Sequence, residues 1–242
     1  MLIRFQEGAN STVSLPELDI KLEAGDYNKP LHSRKNSQVR RTRYEIMKRF
    51  MDIVGAVMGI VFLFPIFVLI ALFIKLEDPK GRVFYKQTRV GKNGKVFEMY
   101  KFRSMITNAE ELLPTLQHLN ERSGAVFKMK ADPRVTRVGS FIRRTSIDEL
   151  PQFLNVLKGD MSMVGPRPPL PQEVEMYTAY DKQRLIVTPG CTGPWQVSGR
   201  NHMSFKEMVS LDLKYISERS LMLDIKLILK TVGVMVWSRN GH

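Results

Sequence analysis

The chain has 242 residues, enough for one domain with a real core but too few for two large ones. Its 37 Lys and Arg residues against 24 Asp and Glu residues give a net charge of +13, which predicts anionic partners such as a lipid surface, a nucleotide or another phosphate. The single Cys191 excludes an internal disulfide framework and a cysteine zinc cluster. Because the four histidines lack the short spacing of metal-ligand pairs, any metal is expected to have oxygen ligands.

Residues 1–43 form a polar and basic extension. Scattered Gly, Ser, Asn and Pro with little hydrophobic periodicity predict a mobile tail or a loosely docked arm over its first 40 residues. From Arg34 to Arg49 there are seven basic residues against one acid, Glu45. We expect this stretch to lie against anionic lipid headgroups.

An uncharged apolar run follows from Ile53 to Ile74, 22 residues that suffice to cross a bilayer. Pro65 lies in its middle and predicts a bend between Val61 and Pro65, because proline removes a helical hydrogen bond. Both flanks of the run are basic, which suits a re-entrant membrane helix, over about residues 50–75, that leaves by the face it entered. Hydropathy alone leaves a kinked transmembrane helix open as the alternative.

The rest of the chain predicts an α+β protein that is mostly helical. Two short strands, 83–85 and 96–102, flank a basic turn and predict a β-hairpin. Helices are expected over about residues 108–119 (kinked at Pro114), 172–183, 204–218 and 221–237. The last of these is apolar enough to lie at a membrane interface, or to be a buried core helix.

The most informative polar segment is the pair Asp148-Glu149. With Ser146 as N-cap, Glu149 would complete an ordinary capping box. Pro151 favours Asp148 as the cap instead, because the proline then falls on the third helical position, where its missing N–H costs little. Two carboxylates at a helix N-terminus can share a divalent cation beside a phosphate, which predicts a magnesium site at Asp148 and Glu149.

Arginines lie on both sides of this pair. Arg143 and Arg144 precede it, and Pro166-Arg167-Pro168 follows it. The two prolines hold Arg167 in an extended backbone, so that its guanidinium can be presented to a phosphate at little entropic cost. The alternative for Arg167 is a surface arginine in a turn.

A series of motifs runs in order from Lys48 to the C terminus. They are Lys48-Arg49-Phe50-Met51-Asp52, Lys101-Phe102-Arg103-Ser104-Met105, Asp148-Glu149-Leu150-Pro151-Gln152, Gly159-Asp160-Met161-Ser162, Val164-Gly165-Pro166-Arg167-Pro168, Pro189-Gly190-Cys191-Thr192-Gly193, Trp195-Gln196-Val197-Ser198-Gly199-Arg200-Asn201, and Asp212. Together they resemble the monotopic polyprenyl-phosphate phosphoglycosyl transferases, bacterial sugar transferases that begin exopolysaccharide, O-antigen or glycoprotein glycan assembly. The resemblance assigns residues 44–242 to the catalytic domain and leaves residues 1–43 outside it.

The resemblance implies a two-step exchange. Asp148 attacks the β-phosphate of a UDP-sugar, releases UMP and forms an aspartyl phosphosugar. Undecaprenyl phosphate then attacks this intermediate and leaves as a sugar diphospholipid. Magnesium would neutralise the diphosphate, with Glu149 as a ligand or as an aid to Asp148. It also implies a membrane helix broken at Pro65 and a catalytic domain on the cytoplasmic face of the bacterial inner membrane.

The transferred sugar is expected to be glucose or galactose, with N-acetylated and bacillosamine-type sugars left open. Other residues carry over as contacts to phosphate or substrate. The contacts are Arg167 between Pro166 and Pro168, with Lys48, Arg49, Lys101, Arg103, Arg144, Arg184, Arg200 and Asp212. Two positions depart from the family pattern: Phe64 replaces the serine of better-known short members, and Thr188 replaces a basic residue. Arg184 could supply the contact that Thr188 lacks.

Two other function classes compete with this interpretation. A catalytically silent membrane adaptor of a glycan assembly complex is compatible with the composition, but has no chemical need of Asp148-Glu149 or Pro166-Arg167-Pro168. Nucleic acid is not expected as a partner, because the basic residues surround an apolar segment and no binding motif occurs. The sequence leaves a monomer and a homodimer open.

Overall fold

The computed structural model describes residues 31–120, 129, 131–198 and 203–237, with the side chains of residues 31–40 and 235–237 outside the description. Of the predicted tail over residues 1–40, residues 1–30 lie outside these ranges, as does the predicted contact Arg200, whereas residues 31–40 belong to a helix and not to a mobile tail. Within them the protein is mostly helical and carries a short β-hairpin, which confirms the predicted α+β class.

The first element is a long helix, α1, over Leu31–Glu77. Its part Arg41–Glu77 is, among the described residues, the one helix long and apolar enough to cross a membrane. Large side chains such as Val61, Phe62 and Phe64 are exposed along it. The helix continues through Pro65, so the predicted break there is not confirmed.

Both ends of the apolar part of α1 are attached to the same folded unit. At one end, the Oδ1 atom of Asp52 accepts a hydrogen bond of 2.9 Å from the backbone N–H of Met163. At the other, the carboxylate of Glu77 accepts hydrogen bonds of 2.8 and 3.2 Å from the backbone N–H groups of Arg137 and Val138. The folded domain therefore contacts both ends of the apolar segment.

The predicted hairpin is confirmed as strands β1, Phe84–Val90, and β2, Val96–Phe102, which pair antiparallel along their whole length. The turn between them uses positive φ angles at Asn93 and Gly94, of 56° and 79°. Strand β1 runs five residues beyond its predicted end because each of them pairs with β2. This longer strand brings Arg89 into the folded interior.

Further elements follow β2 in chain order. They are α2 at Ala109–Leu116, α3 at Arg137–Arg144, α4 at Gln152–Lys158, β3 at Ser162–Val164, α5 at Pro171–Glu175, α6 at Ala179–Lys182, β4 at Gly190–Thr192, α7 at Phe205–Glu218 and α8 at Leu221–Trp237. The predictions for α7 and α8 are confirmed. The predicted helix over 172–183 is divided into α5 and α6, because Thr178 caps a new helix and its side chain accepts from the N–H of Asp181.

Strands β3 and β4 form a parallel pair that the sequence did not predict. The backbone at this pair is so close-packed that a Cβ on Gly190 would lie 2.0 Å from the backbone nitrogen of Gly165. Only glycine fits there. The pair fixes the point at which Pro166-Arg167-Pro168 leaves the sheet.

Helix α4 is tied to β2 by a fully buried amide. Asn155 accepts a hydrogen bond of 2.9 Å from the backbone N–H of Tyr100 and donates one of 2.7 Å to the carbonyl of Glu98. Val156 and Met161 pack with Ala56 of α1 in the same region. These contacts fix the position of Lys101, which follows Tyr100 on β2.

Helix α8 has one buried and one exposed face. Asp224 and Leu227 are buried, whereas Met222, Ile225 and Leu229 are exposed. Such an apolar exposed face favours the interfacial alternative over a fully buried core helix.

Candidate active site

The turn that carries Asp148 lies between α3 and α4. Ser146 adopts left-handed backbone geometry, with φ of 57°, and the single 3₁₀ turn Ile147–Glu149 follows it. Helix α4 begins only at Gln152, with Pro151 as its N-cap. The prediction that Asp148 caps the α-helix was therefore wrong, because the reversal at Ser146 inserts a separate turn before the helix.

Close packing of α3 against the end of β2 brings this turn to the sheet. A Cβ on Gly139 would lie 2.0 Å from the carbonyl oxygen of Ser104, so the contact requires glycine. The side chain of Thr136 caps α3 by accepting from the N–H of Gly139 at 2.9 Å. Residues of the turn are thereby placed against β2.

Lys101 faces both carboxylates of the turn. Its Nζ atom lies 2.9 Å from Oε1 of Glu149 and 4.0 Å from Oδ2 of Asp148. Lys101 is largely buried, and Glu149 is more exposed than Asp148. The structure thus brings together three residues that the sequence singled out.

Burial determines the protonation of Asp148. Desolvation raises its pKa to about 6, Lys101 opposes this rise and the charge of Glu149 adds to it. The carboxyl group is ionised above about pH 6 and takes up a proton as the pH falls through that value. It is therefore a buried carboxylate that is available as a nucleophile near neutral pH.

The Pro166-Arg167-Pro168 segment is fixed by neighbouring strands. The carbonyl of Pro166 accepts from the N–H of Gly190 at 2.9 Å, and the carbonyl of Pro169 accepts from the N–H of Val90 at 2.9 Å. The side chain of Arg167 is half-buried and has no hydrogen-bond or ion-pair partner among the described residues. This guanidinium is free to bind an anion.

Arg89 lies beneath this segment and was missed by the sequence analysis. It is only 4% exposed, and the charges of Arg167 and Glu149 both act on it, which places all three in one region. In the sequence, Arg89 is one of several basic residues that follow the apolar run. Strand alternation puts it on the same face as Gln87, but nothing in the sequence says which face is buried.

Several predicted contact residues lie in other environments. Lys48 pairs with the buried Asp224 at 3.0 Å, and Arg49 donates to the carbonyls of Val156 and Leu157 at the C-terminal end of α4, at 2.6 and 2.8 Å. The structure therefore gives Lys48 and Arg49 partners that anchor α1, away from the turn at the other end of α4.

Three more predicted arginines can be placed. Arg103 pairs with Asp78 at 2.6 Å and so holds the connection between α1 and β1. Arg144 is exposed at the end of α3. Arg184 is buried in an ion pair with Asp212, which is fully buried.

Thr188 lines a cavity of about 160 Å³ together with Lys48, Arg49 and Asp52. Asp148 does not line this cavity. Thr188, which replaces a basic residue of the family pattern, therefore lies next to the anchored end of α1.

The sequence of the chain matches a family model over residues 43–238, and the description of that family is "Bacterial sugar transferase". The chain belongs to the bacterial sugar transferase family. This confirms the resemblance stated on the motifs.

Curated relatives of this sugar transferase support the same assignment. It is 49% identical to the galactosyl transferase CpsE of Streptococcus agalactiae over 79% of this chain and 42% of the relative. It is 42% identical to the undecaprenyl-phosphate galactose phosphotransferase of Salmonella typhimurium over 85% of this chain and 43% of the relative. It is 39% identical to the exopolysaccharide production protein ExoY of Sinorhizobium fredii over 81% of this chain and 88% of the relative. The chain thus spans less than half the length of the first two and most of the third.

The donor atoms of the sugar transferase fit a magnesium ion that is completed by substrate. No group of three or more His, Cys, Asp or Glu side chains that could hold a metal occurs among the described residues. Mg²⁺ is commonly held by one or two carboxylates together with substrate phosphates and water. Asp148 and Glu149 are the two carboxylates that could hold such an ion, and Lys101 supplies a positive charge 4.0 Å from Asp148 and 2.9 Å from Glu149.

Proposed function

We propose that this sugar transferase transfers a hexose 1-phosphate from a UDP-hexose to undecaprenyl phosphate and releases UMP, as an early step of exopolysaccharide or related glycan assembly. The buried carboxylate of Asp148 beside Lys101 and Glu149 carries the proposal. The names of the streptococcal and Salmonella relatives support galactose as the hexose, and the name of the second supports undecaprenyl phosphate as the acceptor.

In the first step a carboxylate oxygen of Asp148 attacks the β-phosphorus of the donor. A new bond forms between this oxygen and phosphorus, and the bond from phosphorus to the bridging oxygen breaks, so that UMP leaves with the electron pair. Lys101, 4.0 Å from Asp148, lowers the energy of the charge that develops on the phosphoryl oxygens. Arg167 is free to bind the same group, because it has no partner among the described residues.

In the second step a phosphate oxygen of undecaprenyl phosphate attacks the same phosphorus. The bond to Asp148 breaks, the carboxylate is regenerated, and the product is undecaprenyl diphosphate hexose. When bound at Asp148 and Glu149, magnesium would neutralise the negative charge of the diphosphate.

UMP release from UDP-sugars tests the proposal directly. We expect the protein in nanodiscs, with undecaprenyl phosphate and magnesium, to release UMP from UDP-galactose or UDP-glucose. UDP-N-acetylgalactosamine completes the panel. Absence of release from every sugar, by folded and membrane-bound protein, would reject the proposal in favour of the adaptor.

We also propose that α1 is re-entrant and that both of its ends lie on the cytoplasmic face of the inner membrane. The hydrogen bonds of Asp52 and Glu77 to one folded domain support this path, because a spanning helix would put its ends on opposite sides. The exposed apolar side chains between them suit contact with lipid. Pro65, in the middle of the segment, marks the point where it would turn.

Cysteine labelling distinguishes the two paths. In a Cys191→Ser background, Arg43→Cys and Lys80→Cys introduce thiols at exposed positions on either side of the apolar segment. We expect a membrane-impermeant maleimide to label both in inverted membrane vesicles and neither in spheroplasts. Labelling of one position in each preparation would show a spanning helix instead.

A further inference from the structure

Among the described residues, Arg89 is a buried cation without a carboxylate partner. It is 4% exposed, and among the described residues it forms no ion pair. Removing a guanidinium from water is costly unless other groups satisfy it. The hydrogen-bond partners of Arg89 must therefore account for its burial.

The donors of Arg89 bind one backbone carbonyl and one neighbouring side chain. Its Nη1 atom donates to the carbonyl of Pro168 at 3.0 Å. Its Nε and Nη2 atoms donate to Oε1 of Gln87 at 3.2 and 2.7 Å, so the guanidinium plane is held from the other side. Pro168 directly follows Arg167, whose side chain is free among the described residues.

We infer that Arg89 is a positioning residue that, through the carbonyl of Pro168, holds Arg167 in the orientation that binds the diphosphate of the sugar nucleotide. The inference rests on the proposed function. The neighbouring hydrogen bonds of Pro166 and Pro169 fix the segment at two other points, and the bond from Arg89 fixes the residue next to Arg167.

Electrostatics supports this role. Burial and, to a smaller extent, the charge of Arg167 lower the pKa of Arg89 to about 10, although the charges of Glu173 and Glu149 oppose the shift. Arg89 and Arg167 repel one another, and neither forms an ion pair among the described residues. A diphosphate would relieve that repulsion.

Lysine cannot replace this arrangement. The planar guanidinium reaches Pro168 and Gln87 at the same time in a fixed geometry, whereas an ammonium group is a single point of charge. Arg89→Lys therefore keeps the charge and loses the simultaneous contact. Gln87→Ala leaves Arg89 unchanged and removes the group that orients it.

The test measures the dissociation constant of UDP-galactose in the Asp148→Asn background, so that turnover does not interfere. We expect Arg89→Lys to weaken binding roughly tenfold, the loss of one charge-assisted hydrogen bond, and Gln87→Ala to weaken it less. Thr88→Ala, an exposed change on the same strand, should leave it unaltered. In the presence of Arg167→Ala, Arg89→Lys should have little further effect, because Arg89 acts through Arg167.

Two results would overturn the inference: unchanged binding in both Arg89→Lys and Gln87→Ala, or effects of Arg89→Lys and Arg167→Ala that multiply independently. If Arg89 only stabilised the fold, the effects of the two variants would multiply independently and Arg89→Lys would also lower the melting temperature. If the wild-type protein released no UMP and the Asp148→Asn protein bound no UDP-sugar, the proposed function itself would fail, and the inference with it.

Discussion

Replacing Asp148 with asparagine should reduce UMP release by at least about a thousandfold, because the variant lacks the oxygen nucleophile that forms the aspartyl phosphosugar. With UDP-hexose labelled at the β-phosphate and no acceptor lipid, the wild-type protein should retain the label through denaturing electrophoresis. The Asp148→Asn protein should retain none. Measured UMP release and protein-bound label together test whether the intermediate is covalent.

Stability serves as a control for this variant. The buried carboxyl group of Asp148 has a raised pKa, so a neutral amide removes a desolvation cost and the repulsion from Glu149. We expect the thermal stability of Asp148→Asn to equal or exceed that of the wild type. Glu175→Gln, an exposed carboxylate change on α5, should retain both activity and label. Labelling of Asp148→Asn at the wild-type level would show that another residue is the nucleophile.

Replacing Arg184 with methionine should destabilise the protein by about 3 to 5 kcal/mol, because Asp212 would remain buried without a counter-charge. For a chain of this size the melting temperature in detergent should fall by roughly 10 °C. Burial already raises the pKa of Asp212 to about 6 in spite of Arg184. Because the folded state then favours the protonated acid, the destabilisation should grow as the pH rises from acid to neutral and diminish as it falls.

A double variant separates the ion pair from a role in binding. Arg184→Met/Asp212→Leu removes both charges and should recover part of the lost stability, whereas Lys206→Met, an exposed change on α7, should cost little. If Arg184→Met left the melting temperature unchanged but weakened UDP-hexose binding, the guanidinium would act on substrate, as the sequence prediction proposed.

The elements that the sequence predicted well are those with a local pattern. The hairpin has a glycine-containing turn between apolar stretches, and helices α7 and α8 have boundaries at Ser204 and near Leu221. The apolar segment of α1 was evident from its length alone. In each case the signal lies within a few neighbouring residues.

Where local rules competed, the sequence prediction was incomplete. Both N-cap assignments for Ser146 and Asp148 assumed one continuous helix, and neither anticipated the left-handed turn at Ser146. Strands β3 and β4 have only three residues each and pair across a long interval of chain, so no periodicity marks them.

The identity of the chemical groups was thus determined by the sequence, and their partners by the tertiary structure. Asp148, Glu149, Lys101 and Arg167 were all predicted, but the distance of Lys101 from the two carboxylates depends on how β2 packs against the turn. Lys48 and Asp224 lie 176 residues apart in sequence and form an ion pair. Such contacts depend on the packing of distant segments, which local periodicity does not encode, and they distinguish a cation that anchors a helix from one that is free to bind a phosphate.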